Sequence, residues 1–309
     1  MTDASALGMW GVPLAILGGA IRVSTPFLFV SLGECLTERS GRINLGLEGT
    51  LVIGAMTGYA MSYHSGSPFI GVASAALAGL VFGLIHGWLC SFRHVNDIAV
   101  GISMMIVGLG LAFYFGKPYI QPTAPRLPSI SFGWWSDIPQ VQAALQVNVL
   151  FIAGAVLAFL MAWMFRNTRI GLTVRVVGDS TDAARTLGIR PTRVRVLATA
   201  VGGAFAGVGG SYLSLYYPGS WSEGIASGQG LMAVALVIFA RWNPINCFWA
   251  ALLFGGAGAI GPALQSVGIT QGYYLFYAAP YVLTLGILVA TSSTERAMTG
   301  APGEMSITK

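Results

Sequence analysis

The chain has 309 residues, of which 55% are hydrophobic and only 9% charged, with a formal net charge of +5. An ordinary soluble domain carries about 25% charged residues, so this composition excludes a water-soluble globular protein and requires that most of the chain sit in lipid. At roughly 20 apolar residues per crossing, the length accommodates up to about ten membrane helices joined by short loops.

Nine apolar segments follow one another, near 13–33, 43–63, 69–90, 98–116, 145–165, 196–217, 229–240, 244–263 and 274–292. They predict an all-α, polytopic integral membrane bundle of about 8–10 transmembrane helices over residues 1–309. The first contains Arg22, and no Lys or Arg precedes it, so the start lacks the basic region of a signal peptide and is expected to be mature sequence. Between the first and second segments, Glu34, Glu38, Arg39 and Arg42 make a polar turn, from which Asn44, Gly46, Glu48 and Gly49 run into the second helix. Glu48 falls about a turn inside that span and is the one carboxylate assigned to a span interior. There it either faces a pathway or gate, or snorkels or pairs with Arg42 at the interface. The glycines beside it permit an unwound helix start where backbone lines a cavity. Gly54 and Gly58, Gly79, Gly83 and Gly87, and Gly203 and Gly207 repeat at every fourth residue, the spacing of close helix packing.

Phe113 and Tyr114 end the fourth segment and offer aromatic faces to a substrate. Residues 117–144 hold Pro118, Pro122, Pro125, Pro128, Trp134 and Trp135, too broken for a helix, and are read as an outer loop packed over the bundle mouth. Segment 166–195 then concentrates seven of the sixteen cations. A short helix is legible inside it: Asp179 or Ser180 caps the start, Asp182 and Arg185 suit the helix dipole, and Gly188 and Pro191 end it. Two turns are unstable alone in water, so Ser180–Leu187 needs something to dock into. The stretch 216–230 carries Trp221 and Glu223 before a seventh segment too short to span unless it is broken or tilted.

Strict alternation puts Arg39, Arg42, Arg93, Arg166–Arg195, Arg241, Arg296 and Lys309 on one side, thirteen of sixteen cations, which the positive-inside rule makes cytosolic. Arg22, Lys117 and Arg126 remain toward the other side, and the N-terminus comes out external. Cys35, Cys90 and Cys247 fall near cytosolic helix ends, where thiols stay reduced, and His64, His86 and His94 share no metal-ligand spacing. No metal site is expected.

LGECLTERSGRINLGLEG (32–49) resembles the signature of ABC-importer permease subunits in the branch that serves branched-chain amino acids, simple sugars and nucleosides. NTRIGLTVRVVGDSTDAARTLGIRPTRVRVLATAVGGAFAGVGGSYLSL (167–215) is similar to that branch's coupling region and glycine-rich helix, and GQGLMAVALVIFARWNP (228–244) is a third match. The turn leading into GLEG is most similar to the shorter permease of nucleoside-type importers. Arg42, Gln229 and Ala240 depart from the pattern, where a small apolar residue, an Arg and a Gly are expected.

The resemblance implies a permease domain for nucleosides or related small solutes in a bacterial cytoplasmic (inner) membrane, paired with a second homologous permease and served by an extracytoplasmic substrate-binding protein. It also implies that a separate ABC ATPase, using ATP and Mg, drives it. The chain itself carries no cofactor, no nucleic-acid partner and no catalytic residue. Its only lysines are Lys117 and Lys309, which precludes a P-loop. The coupling element is expected at Asp179, Ser180, Asp182, Ala183, Ala184, Arg185, Leu187 and Gly188, with Arg175 and Arg190 at its rim. The substrate pathway is expected at Asn44, Glu48, Phe113 and Tyr114, and the binding-protein contact at Trp221 and Glu223. A simple-sugar or branched-chain amino acid importer is the nearest alternative. A stand-alone secondary transporter or channel needs more ionisable groups deep in the spans, and an enzyme needs paired carboxylates or a nucleophile with its base.

Overall fold

A computed structural model gives the fold and describes residues 11–92, 94–266, 268–269, 272, 275–276, 278–291 and 300–306. Arg93, Arg296, Lys309, the first ten residues and part of the ninth segment lie outside the described residues. Each apolar segment forms a helix: α1 (Gly11–Arg39), α2 (Leu47–Ser65), α3 (Pro68–Leu89) and α4 (Asp97–Gly116). After a short α5 (Pro139–Ala144) comes α6 (Val149–Asn167), and after two short helices, α7 (Arg169–Asp179) and α8 (Thr181–Thr186), comes α9 (Pro191–Leu215). The last are α10 (Gln229–Phe239), α11 (Pro244–Ser266), α12 (Ala279–Thr291) and a single turn, α13 (Gly303–Ser306). Six of these, α1, α3, α4, α6, α9 and α11, are long and apolar enough to cross a membrane.

The small-residue spacing does what close packing requires. α3 lies along α9 with Gly79 on the Gly203 carbonyl, Gly83 on Thr199 and Ala200, and Gly87 on Val196. A Cβ at Gly79 or Gly83 would meet backbone, so only glycine permits this approach. Gly54 meets Gly207 in the same way, which joins α2 to the same face of α9. α1 packs against α11 on the far side of α9. Two buried apolar clusters result, one around Leu51, Leu215 and Trp221, the other around Phe27, Leu236, Trp242 and Phe254.

The 117–144 stretch is less irregular than its prolines suggest. It contains α5 and strand β1 (Ser129–Ser131), which pairs antiparallel with β2 (Gln146–Asn148), Ser129 opposite Asn148. The loop is pinned across the helix ends. Tyr59 Oη donates to the Pro122 carbonyl at 2.8 Å, Ser62 Oγ to Pro125 at 2.9 Å, and Leu127 N–H to Leu215 at 2.9 Å.

The Arg-rich segment contains one helix more than expected. α7 precedes the short helix, burying Gly171, Val174, Val177 and Gly178 on one side while Arg169, Ile170 and Leu172 stay exposed. Asp179 ends α7 rather than capping α8. The cap is Ser180, whose Oγ accepts from Ala183 N–H at 3.2 Å, because its extended backbone turns the chain between two helices. At the other end Gly188, at φ +74°, lets Gly188 N–H reach the Arg185 carbonyl and Ile189 N–H the Ala184 carbonyl, closing a Schellman stop.

Candidate translocation site

Two chain breaks meet inside the bundle. The first is the start of α2. Asn44 is buried, its N–H donates to Glu34 at 2.8 Å, and its Oδ1 accepts from Gly46 N–H at 2.9 Å, which folds the chain inward before the helix begins. Gly49 rests on Met104 and Met105, about 12 Å along α4 from Asp97 at 1.5 Å per residue. Glu48 therefore lies well inside the span. The second break is the start of α10, which at 11 residues is about 16 Å long and cannot cross a core of about 30 Å.

Glu48 joins the two. Its Oε1 accepts from Gly228 N–H at 2.8 Å and its Oε2 from Gly230 N–H at 2.6 Å, so a side chain of α2 caps α10 at its positive dipole end. Gly230 has to be glycine: a Cβ there would lie 2.5 Å from the Glu48 Cα. Arg42 is not the partner of Glu48. It pairs with Asp97 at 2.6 Å, since Glu48 has already turned inward past it.

The chain reaches this point by descending. Trp221 packs on Gly116 at the end of α4 opposite Asp97, and nine residues later Gly230 touches Glu48. Trp221 is only 2% exposed and belongs to the core, which corrects its expected role as a binding-protein contact; Glu223 stays exposed.

The descending stretch walls a cavity of about 420 Å³, bounded also by Arg22, Pro26 and Phe27 of α1, Pro262 of α11 and Tyr281 of α12. Its polar lining includes Ser222, Ser227, Gln229 and Tyr281, and its rings are Phe27, Tyr217 and Tyr281. Gln229 Oε1 is buried with no hydrogen-bond partner among the described residues. Neither Asn44, Glu48, Phe113 nor Tyr114 lines it. Asn44 and Glu48 hold the helix starts beneath, Phe113 packs on the first apolar cluster, and Tyr114 is 73% exposed on the bundle surface. Sequence reading missed Phe27, Tyr217, Gln229 and Tyr281 as lining groups, although the departure at Gln229 was a signal.

At the basic end the structure overturns one expectation. Glu34 and Glu38, neighbours one turn apart on α1, are both fully buried in the bundle, so Glu48 is not the only carboxyl in a span. The pair is built into structure: Glu34 accepts the Asn44 N–H, and Glu38 accepts the Trp242 indole N–H. Arg39 Nε also donates to the Trp242 carbonyl at 2.9 Å, which fastens the α10–α11 turn to the end of α1. Cys35, Cys90 and Cys247 are buried free thiols, and burial together with the nearby Asp97 pushes the Cys90 thiol up to about 12.

α8 stands out from this end. Ala184 is completely buried while Asp182, Ala183, Arg185, Leu187 and Gly188 are exposed; Leu187, at 67%, is a bare apolar tip. The 3.4 Å Arg185–Asp182 pair is solvated and adds little stability.

A multi-pass helical bundle with a broken helix beside a half-open cavity, and a short exposed helix at its basic end, defines a membrane translocation subunit. The chain belongs to the family described as the permease component of the branched-chain amino acid transport system, which it matches over residues 16–291. It is an ABC transporter permease. It is 30% identical to TsgC13 of Haloferax volcanii, named as a candidate glucose ABC transporter permease protein, over 93% of this chain and 88% of that one. It is 29% identical to the guanosine ABC transporter permease protein NupQ of Bacillus subtilis, over 87% of this chain and 89% of the other. With the nucleoside ABC transporter permease protein NupC of Lactococcus lactis it shares 28% identity, over 88% and 90% of the two chains.

Proposed function

We propose that this permease carries a nucleoside across a bacterial cytoplasmic membrane, as one half of a heterodimer with a second permease, with a binding protein delivering substrate from outside and a separate ATPase driving the cycle. The observation that carries the reading is the cavity beside the α10 break. Its volume of about 420 Å³ lies in the small-molecule range. Aromatic rings at Phe27, Tyr217 and Tyr281 offer a face for a base, and Gln229, Ser222 and Ser227 offer hydrogen bonds for base edges or ribose hydroxyls. Likeness to permeases named for guanosine and nucleosides supports the same class.

Arg39, Arg42, α7 and α8 share the basic end, which the positive-inside rule makes cytosolic. There α8 is the docking element. Its buried Ala184 fixes it to the bundle, and its exposed Leu187 tip enters the ATPase. Cells carrying the whole assembly, and lacking other uptake routes, accumulate labelled nucleoside; ribose and branched-chain amino acids do not compete at similar concentration. The glucose naming of TsgC13 favours a sugar as the second reading, and competition by free sugar with none by nucleosides decides for it.

A further inference from the structure

The C-terminal turn α13 sits where no sequence pattern leads it. Five chain segments meet around the Glu304–Arg195 pair. Its Oε1 accepts the Thr181 N–H at 2.7 Å, an orphan donor in the first turn of α8, and its Oε2 lies 3.3 Å from Arg195 Nη2. Arg195, from α9, also donates to the Ser40 carbonyl at 3.1 Å, the Thr181 hydroxyl at 3.0 Å and the Val177 carbonyl at 3.3 Å. The end of α1, the end of α7, the start of α8, α9 and α13 therefore meet at one guanidinium and one carboxyl. Burial alone raises the Glu304 carboxyl, yet the Thr181 N–H and hydroxyl and the Arg195 guanidinium hold it below the ordinary carboxylate value.

The same turn reaches the other way. Gly303 packs on the Asp179 carbonyl, and Ala301 and Met305 pack on the cluster that holds Trp242. Trp242 follows α10 and is fastened to Glu38 and Arg39 of α1. Segment 300–306 thus reaches the exposed helix through Glu304 on one side and, through Gly300 lying against the Arg241 carbonyl, the base of the broken helix whose tip borders the cavity on the other.

We propose that α13 is the link that carries displacement of α8 to the cytosolic end of α10, with Glu304 and Arg195 as its positioning residues. This rests on α8 being the ATPase-docking helix. A bundle that merely needed a stable surface would be served by α7 and α9 alone, which already hold α8 from behind. The turn adds contacts at the N-terminus of α8, the end that has to follow any tilt of the helix.

The test uses the complete transporter, permeases, ATPase and loaded binding protein, in proteoliposomes. Glu304→Ala should leave the ATPase co-purifying at wild-type stoichiometry and hydrolysing ATP, while substrate moved per ATP falls roughly three- to tenfold, as loss of an ordinary, partly solvated hydrogen bond predicts. Glu304→Gln keeps an acceptor for Thr181 N–H and loses the ion pair, so its transport ratio should fall between wild type and Ala. Unchanged transport per ATP in Glu304→Ala overturns the link. So does loss of the ATPase from the complex, which makes the turn an assembly element. Ala184→Pro run beside it separates the two readings: if it transports normally, the docking role of α8 fails, and if it fails while Glu304→Ala is normal, only the link fails.

Discussion

Glu48→Gln tests the joint between the two chain breaks. Glu48 accepts two N–H groups, at 2.8 and 2.6 Å, and a glutamine keeps one oxygen while turning an NH₂ toward the second donor. One backbone N–H of α10 is then left unmet inside the span, and the bond lost involves a charged or strongly polarised acceptor, at about 1.5–3 kcal/mol. Glu48→Ala removes both acceptors and costs about twice that. Local opening of α10 then becomes roughly tenfold or more easier for Gln, and roughly a hundredfold or more for Ala, at ~1.4 kcal/mol per decade. Amide hydrogen exchange measured by mass spectrometry on a 226–236 peptide reads this directly, with an α3 peptide as internal control. Faster exchange confined to 226–236, graded Ala over Gln over Glu, is expected. Equal exchange in all three would show that α10 is held by packing alone and that the carboxyl does not cap it.

Ala184→Pro removes the hydrogen bond from Ala184 N–H to the Ser180 carbonyl and places a ring at a fully buried position, at a local cost near 3 kcal/mol. Uptake should be lost, with ATP hydrolysis no longer responding to loaded binding protein, while the spans stay inserted. Cys90, buried and with its thiol pushed up to about 12, should resist iodoacetamide in native membranes at pH 8 and react on denaturation; labelling at the rate of a free thiol would contradict the burial. Single cysteines at 123 or 219 should react with an impermeant reagent on intact cells and those at 167 or 190 should not, and labelling at 190 would reverse the orientation. Gln229→Ala should raise the KM for transport without changing the basal ATPase rate, as tested by concentration-dependent uptake.

Much of this architecture is legible in the sequence because apolar periodicity and helix punctuation are local. The short seventh segment, the Ser180 cap and the Gly188 stop all depend on neighbours a few residues away. α7 escapes notice because its arginines dominate the eye, although Gly171, Val174 and Gly178 recur at helical spacing on the side that packs inward. Trp221 passes for a binding-protein contact because it sits in an outer stretch before a short segment, and only the empty face of Gly116 explains its burial. Pairings across the chain are out of reach of local reading. Glu48 meets its donors 180 and 182 positions away, and Glu304 meets Thr181 at a separation of 123.

The glycine seam along α2, α3 and α9 has a bearing on how such permeases diverge. At Gly54, Gly79, Gly83 and Gly203 any added carbon strikes a neighbouring backbone, so those sites are closed to drift. None of them lines the cavity, whose walls come from α1, the descending stretch, α10, α11 and α12, with Leu213 contributed by α9. The parts that must not vary and the parts proposed to touch cargo are thus carried by different residues. A lineage can exchange one solute for another by changing a handful of lining side chains, while the frame that bears the mechanical work is inherited intact.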